Sequence, residues 1–322
     1  MRRYVKLLGF ALLAYILWRA DVGALGETLA ACRLDLVAAG FSAGLFAIAI
    51  KALRWRSMLL RQGHDYGAWR SVKVYAVGIY AGIATPGRLG ELSRVLYLRR
   101  DIGVGVGAGL SSVVVDRVLD LYFLVAVGIA AAYRFGVSGD LSFAIAVTAA
   151  ALALLPVVAL HPRAGRWLAR RATSLLGRTR LGRGLADSTE EFYDGVETLL
   201  SAWLLIGALT TAAAYATFFL AAHLLALSVG IDIAPADTAL TVGLANLASL
   251  VPITVAGVGT RDAIFVLAFA SLGLAEAQAL AFSALVLAVF YLLNGLVGFA
   301  FFLADPPPPP ETTAPDTGDK PC

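Results

Sequence analysis

Apolar stretches of bilayer-crossing length fill most of this chain, and they leave it few ways to fold. Full-length spans read as about 5–20, 36–53, 105–133, 139–160, 199–229 and 276–304, each approaching the ~20 residues that a helix needs to cross the hydrocarbon. Amides inside a bilayer find no water, and a helix satisfies them internally. The expectation is an all-α polytopic membrane protein. Composition agrees, with 59% of the 322 residues hydrophobic and 15% charged, against roughly 25% charged in a soluble domain. The formal charge of +4 is no sign of nucleic-acid binding. The arginines fall in patches between apolar spans, where they orient the chain and meet anionic lipid.

Two more apolar stretches, about 72–98 and 238–273, are broken in the middle. The first contains Ala84-Thr85-Pro86-Gly87-Arg88-Leu89-Gly90-Glu91 and the second Val251-Pro252-Ile253-Thr254-Val255-Ala256-Gly257-Val258-Gly259-Thr260-Arg261-Asp262. Each combines a proline, close glycines, an arginine and a carboxylate. Broken backbone at membrane depth is tolerated only where it is buried in protein or lines a wet cavity, and ionisable residues there are functional candidates. Two such breaks, one in each half, point to a transporter.

Basic residues set the topology. Arg2, Arg3 and Lys6 precede the first span, which reads as retained rather than cleaved. Lys51, Arg54, Arg56, Arg61, Arg70 and Lys73 follow the second, and seven arginines between Arg163 and Arg183 follow the fourth. The connections near 21–35 and 230–237 carry one arginine and several acids. The positive-inside rule then puts both termini in the cytoplasm. Segment 72–98 has arginines at both ends and should enter and return as a re-entrant hairpin from the cytoplasmic side. Segment 238–273 becomes a second hairpin, from outside. The prediction is therefore about six full spans plus two re-entrant broken-helix hairpins, eight hydrophobic segments in all. Residues 36–133 and 199–304 form an inverted repeat, joined by a helical, partly interfacial cytoplasmic linker over 161–198. The alternative is eight ordinary spans. The tail 305–322 is proline-rich and reads as disordered and cytoplasmic.

Several side chains could carry chemistry. A helix starting near Leu89 would aim its first amides into the break and suit a phosphate or carboxylate, and Arg88 could add a bidentate contact. Glu91 could pair with Arg88 or Arg94. The second break offers Thr254, Gly257, Gly259, Thr260, Arg261 and Asp262. A third cluster places Asp116 and Asp120 on one helix face, four residues apart, with Arg117 roughly 100° around; it should face the bundle interior. A structural ion pair is the competing reading for each group. Tyr291 and Asn294 could line a cavity. His64, His161 and His223 lack ligand spacing, and Cys32 and Cys322 suggest neither a disulfide nor a metal site. There is no Walker A or nucleophile-elbow motif.

At these residues the chain resembles the lysylphosphatidylglycerol synthase transmembrane-region family, also called flippase-like domain proteins. The resemblance rests on Pro86-Gly87-Arg88-Leu89-Gly90-Glu91 with Arg94, on Asp116-Arg117 with Asp120, and on Leu250-Val251-Pro252-Ile253-Thr254 leading to Gly257-Val258-Gly259 and Arg261-Asp262. Arg54-Trp55-Arg56 is similar too. It covers about residues 5–304 and implies a single flippase-like domain over 1–304. Departures are mild: Ala256 and Val258 replace a denser glycine pattern, and Asp262 stands where Glu is common. Nothing after Ala304 could form an aminoacyl-transferase domain, so synthase activity is not expected.

The resemblance implies lipid handling without catalysis or cofactor. It points to a translocase or transporter for an anionic phospholipid or polyprenyl-linked headgroup, in a cell membrane such as the bacterial inner membrane, with a homo-oligomer as an option. The binding candidates are Gly87, Arg88, Gly90, Glu91, Arg117, Thr254, Gly257, Gly259 and Arg261. Glu91, Asp116 and Asp262 are the proton-coupling candidates. The alternatives are a membrane-embedded enzyme using Glu91 or Asp116 as base, and a non-transporting subunit of an envelope or polysaccharide assembly complex.

Overall fold

The computed structural model describes residues 30–83, 85–136, 140–175, 180–200, 203–249 and 260–307. The first expected span, the break 250–259 and most of the tail lie outside the described residues. Among those described, the chain is all-helical. The α-helices are α1 (Leu34–Arg61), α2 (Ala68–Ile83), α3 (Ser93–Ile102), α4 (Val106–Arg134), α5 (Asp140–Leu160), α6 (Pro162–Leu175), α7 (Arg180–Leu199), α8 (Trp203–Ser228), α9 (Pro235–Ala248), α10 (Thr260–Ser271), α11 (Glu276–Val286) and α12 (Asn294–Ala304). A 3-10 turn, Pro86–Leu92, separates α2 from α3, and a π-helical segment, Leu287–Leu293, joins α11 to α12.

Three stretches are long and apolar enough to cross a membrane: Leu34–Arg61, Trp203–Ser228 and Gln278–Ala304. They fall on the expected spans 36–53, 199–229 and 276–304. The expected span 105–133 is the single 29-residue helix α4, but Asp116, Arg117 and Asp120 sit near its middle. It is long enough to cross at 1.5 Å per residue, and the charges face protein rather than lipid.

The interior has two apolar clusters. One gathers Trp55, Met58, Tyr75, Tyr97 and Leu98 from α1, α2 and α3 with Val115 of α4 and Val196 of α7. The other gathers Leu225 of α8, Phe265 and Phe269 of α10, Phe282 of α11 and Phe290 of the π segment. Helices α1 and α8 join them along an extensive antiparallel contact, closed at one end by the Arg33 amide donating to the Ser228 carbonyl at 3.0 Å.

The first break folds as a helical hairpin. α2 and the returning turn run antiparallel, so that Gly82 lies against Glu91 and Gly90 against the Ala81 carbonyl, with no space for a Cβ on Gly90. At the open end of the hairpin, Arg70 of α2 pairs with Asp101 of α3 at 2.8 Å. Asp305, just past α12, joins them through Arg100 at 2.8 Å and Arg70 at 3.0 Å. At the opposite end of the bundle, Arg134 at the close of α4 pairs with Asp237 at the start of α9 at 2.9 Å. Helices α9 and α10, which flank the second break, pack against one another.

Helices α6 and α7 fall on the stretch 161–198, where the sequence predicts helix. α7 lies along the start of α4, and Arg166 of α6 reaches Glu190, Asp194 and Glu197 of α7 at 3.3, 2.6 and 3.2 Å.

Candidate functional site

Local sequence builds the turn at the first break. Pro86 opens it, a position where a missing N–H costs nothing. Arg88 then adopts φ 56°, the left-handed region, which a non-glycine side chain rarely takes. That reversal prevents an α-helix from continuing through the break. Thr85 straps the turn: its hydroxyl donates to the Ala81 carbonyl at 2.9 Å and accepts from the Gly90 amide at 2.7 Å. No α-helix begins near Leu89, contrary to the sequence expectation. The α-helix starts at Ser93, and the Gly90 amide is already spent on Thr85.

Beside the turn lies an ion-paired network inside the apolar bundle. Asp116 of α4 is completely buried. One carboxylate oxygen accepts from Arg54 at 2.6 and 3.0 Å, and the other from Arg94 at 3.1 Å, Arg117 at 3.0 Å and the Tyr75 hydroxyl at 3.1 Å. Asp120, one helical turn on, pairs with Lys51 and Arg54 at 2.9 Å and Arg117 at 3.2 Å. Glu91 pairs with Arg117 at 2.9 Å, Arg94 at 3.4 Å and Arg88 at 4.0 Å. Arg54 also donates to Thr211 of α8 at 2.5 Å, tying the network to the second half. Aromatic faces hold the cations further. Arg94 lies 5.1 Å from the Trp55 ring centre and 4.6 Å from that of Tyr75, and Lys51 lies 4.0 Å above Tyr215.

The network opens onto a cavity of about 130 Å³ between the two halves. Its polar lining comes from Lys51, Tyr75, Arg88, Glu91, Arg117, Tyr215, Asn246, Tyr291 and Asn294; Ile79, Ile83, Phe218 and Phe290 supply apolar wall. Exposure separates the cations. The Arg54 and Arg94 side chains are sealed at 0% and 1%, while Arg117 is open at 29% and Arg88 at 46%.

From the second half, Arg261 is buried, with its guanidinium 5.0 Å from the Tyr291 ring centre. The Tyr291 hydroxyl faces both Arg88 and Arg261. Among the described residues, Arg261 Nε and Nη1 have no hydrogen-bond partner. Its neighbour Asp262 lies 3.6 Å from Arg261 and accepts from Ser283. The π-helical stretch turns Phe290 and Tyr291 inward, and wide turns of this kind are frequent at functional sites.

The structure therefore brings together Arg88, Glu91, Asp116 and Arg117, keeps Gly90 in the turn packed on the Ala81 carbonyl, and sets Arg261 behind Tyr291; Gly87 belongs to the same turn. Thr254, Gly257 and Gly259 lie outside the described residues. Two expectations need correction. Lys51 and Arg54 do not flank a span as orienting charges, because α1 continues unbroken to Arg61 and the Asp116 and Asp120 carboxylates draw them inward. Arg94 is likewise no surface charge at the end of a segment; it is buried between two carboxylates and two aromatic rings. Lys51, Arg54, Tyr75, Thr85, Thr211 and Tyr215 are the partners that sequence reasoning did not place in the site. The i,i+3 spacing of Lys51 and Arg54, matching one face of a helix, was the available signal for two of them.

Residues 6–298 match the family described as "Lysylphosphatidylglycerol synthase TM region". The chain belongs to this family. Neither the curated proteins nor the solved structures provide a match. Membership and the apolar helices together make it a membrane protein of lipid-related, flippase-like type. The Pro-Gly-Arg-Leu-Gly-Glu string on which the resemblance was first based is the turn that carries Arg88 and Glu91 to the cavity.

Proposed function

We propose that this family member moves an anionic lipid headgroup between membrane leaflets, with the headgroup entering the central cavity and the acyl chains remaining in surrounding lipid. The observation that carries this reading is the buried cationic network opening onto a cavity at a hairpin tip. A charge inside a bilayer is costly unless paired, and here Arg88 and Arg117 present guanidinium faces to the cavity beside Lys51. A guanidinium fork suits phosphate. Helices α2 and α3 would enter and leave from the cytoplasmic side, and α9 and α10 from the opposite side, making 36–133 and 199–304 inverted counterparts. Arg261, with Thr254, Gly257 and Gly259 of the second break, would complete the site from that side. Rocking of one repeat against the other would alternate access. Glu91 is the carboxylate on the cavity wall, and it is the proton carrier in this scheme if transport is proton-coupled. Asp116 is sealed between arginines.

Proteoliposomes carrying fluorescent phosphatidylglycerol and, separately, fluorescent phosphatidic acid test the proposal, exchange of either lipid supporting it. Leaflet exchange should run faster than in protein-free vesicles, and Arg117→Ala should slow it by about tenfold or more. Unchanged exchange rates with the native chain present would defeat it. A covalently altered lipid recovered from the vesicles would favour an embedded enzyme instead.

A further inference from the structure

The cavity wall carries three cations, Lys51, Arg88 and Arg117, and one carboxylate, Glu91. Behind it, Arg54 and Arg94 share Asp116 and Asp120 with the same groups. Through their ion pairs these residues form a closed set in which five cations face three carboxylates, leaving two positive charges in excess. The wall by itself has the same excess. Arg261 adds nothing to the balance, because Asp262 lies 3.6 Å away. The segment 250–259 contains no ionisable side chain. The sealed cations have carboxylate partners, and the excess falls on the side open to the cavity at Arg88 and Arg117. Uncompensated positive charge on an apolar-walled cleft attracts an anion, and among the described residues no group supplies the missing pair.

We infer that the site takes a doubly charged phosphate, the monoester end group of a lipid phosphate, in preference to a phosphodiester headgroup. A phosphate monoester carries about −1.5 to −2 at pH 7 and cancels the excess. A phosphodiester has a single ionised oxygen and cancels half of it. A lysylated phosphatidylglycerol, with two ammonium groups to one phosphate, would add to it. The geometry agrees: Arg88 and Arg117 are the two guanidiniums with open faces, and Arg117 Nε has no partner among the described residues. The inference rests on the translocase reading only for its claim that the phosphate belongs to a lipid.

Thermal unfolding of the detergent-purified full chain, titrated with dihexanoyl phosphatidic acid, dihexanoyl phosphatidylglycerol or glycerol 3-phosphate, tests it. Phosphatidic acid should half-saturate at about tenfold lower concentration than phosphatidylglycerol or less, with glycerol 3-phosphate weaker than both. Arg88→Gln leaves one excess charge and should bring the two lipids to within about threefold of each other, whereas Arg88→Lys should keep the preference. If Arg88→Gln does not fold, the comparison of lipids on the native chain decides. Equal half-saturation by the two lipids on the native chain overturns the dianion site and leaves the translocase reading standing. An equal response to glycerol 3-phosphate overturns the lipid source. Selective binding of phosphatidic acid without leaflet exchange in proteoliposomes supports the dianion site and sinks the translocase reading.

Discussion

Asp116 shows how much a single side chain holds at this depth. It accepts hydrogen bonds from Arg54, Arg94, Arg117 and Tyr75 and is wholly buried. Removing it would leave two sealed guanidiniums short of a carboxylate partner, Arg54 with Asp120 alone and Arg94 with Glu91 alone. We expect Asp116→Ala to cost about 3–5 kcal/mol, the usual penalty for breaking a buried pair from one side, measured by unfolding in detergent micelles. Arg166 offers the contrast. Its three carboxylate partners are 48%, 73% and 64% exposed, so Arg166→Ala should cost about 1 kcal/mol or less. A loss of similar size from both variants would mean that burial does not set the energetics here. The sequence pointed to Asp116 through its cost in a span, but not to its partners. Lys51 and Arg54 follow an apolar run, and positive-inside logic reads such charges as surface markers until a carboxylate at the same depth is seen.

At the scale of the element, the first hairpin depends on close backbone approach. A methyl group on Gly90 would meet the Ala81 carbonyl, so Gly90→Ala should force the turn off α2 and cost about 1–3 kcal/mol, visible as a lower melting temperature. Thr85→Val keeps the volume but leaves the Gly90 amide without its acceptor, and about 1–3 kcal/mol is expected for that orphaned donor. The open end of the same hairpin is sensitive to acid. Burial alone would raise the Asp101 carboxyl, but hydrogen bonds from Arg70, Arg100 and Tyr66 outweigh it and hold its pKa at about 2. The folded value lies below the ordinary aspartate value near 4, so this carboxylate contributes stability above about pH 4 that is lost as pH falls toward 2. Melting curves taken across that window should fall less steeply for Asp101→Asn than for the native chain. Proline and paired glycines announced the break in the sequence. They did not reveal a 3-10 turn, because that depends on Arg88 taking φ 56° and on Thr85 bonding to both sides.

For the whole molecule, the ends of the bundle carry the test of topology. Asp65, between α1 and α2, lies near the end where Arg70, Asp101 and Asp305 meet. Asp232, between α8 and α9, lies near the end where Arg134 meets Asp237. Both are exposed. With Cys32 and Cys322 replaced, Asp65→Cys should react with a membrane-impermeant maleimide only after cells are opened, and Asp232→Cys should react in intact cells. Labelling of both from one side would remove the opposed arrangement of hairpins.

The amino-acid sequence by itself determined the class, the positions of the long helices among the described residues and the first break, since these follow from local quantities: apolar length, proline, glycine and the cost of charge in lipid. Only the tertiary structure decided which charges meet. Pairing of Lys51 and Arg54 with Asp116 and Asp120, or of Arg117 with Glu91, depends on how α1, α2 and α4 cross and on the depth at which each side chain arrives. Helical spacing places a residue on a face; it does not say which neighbour that face will touch. For the same reason the excess of two positive charges at the cavity becomes visible only when the partners are counted in space.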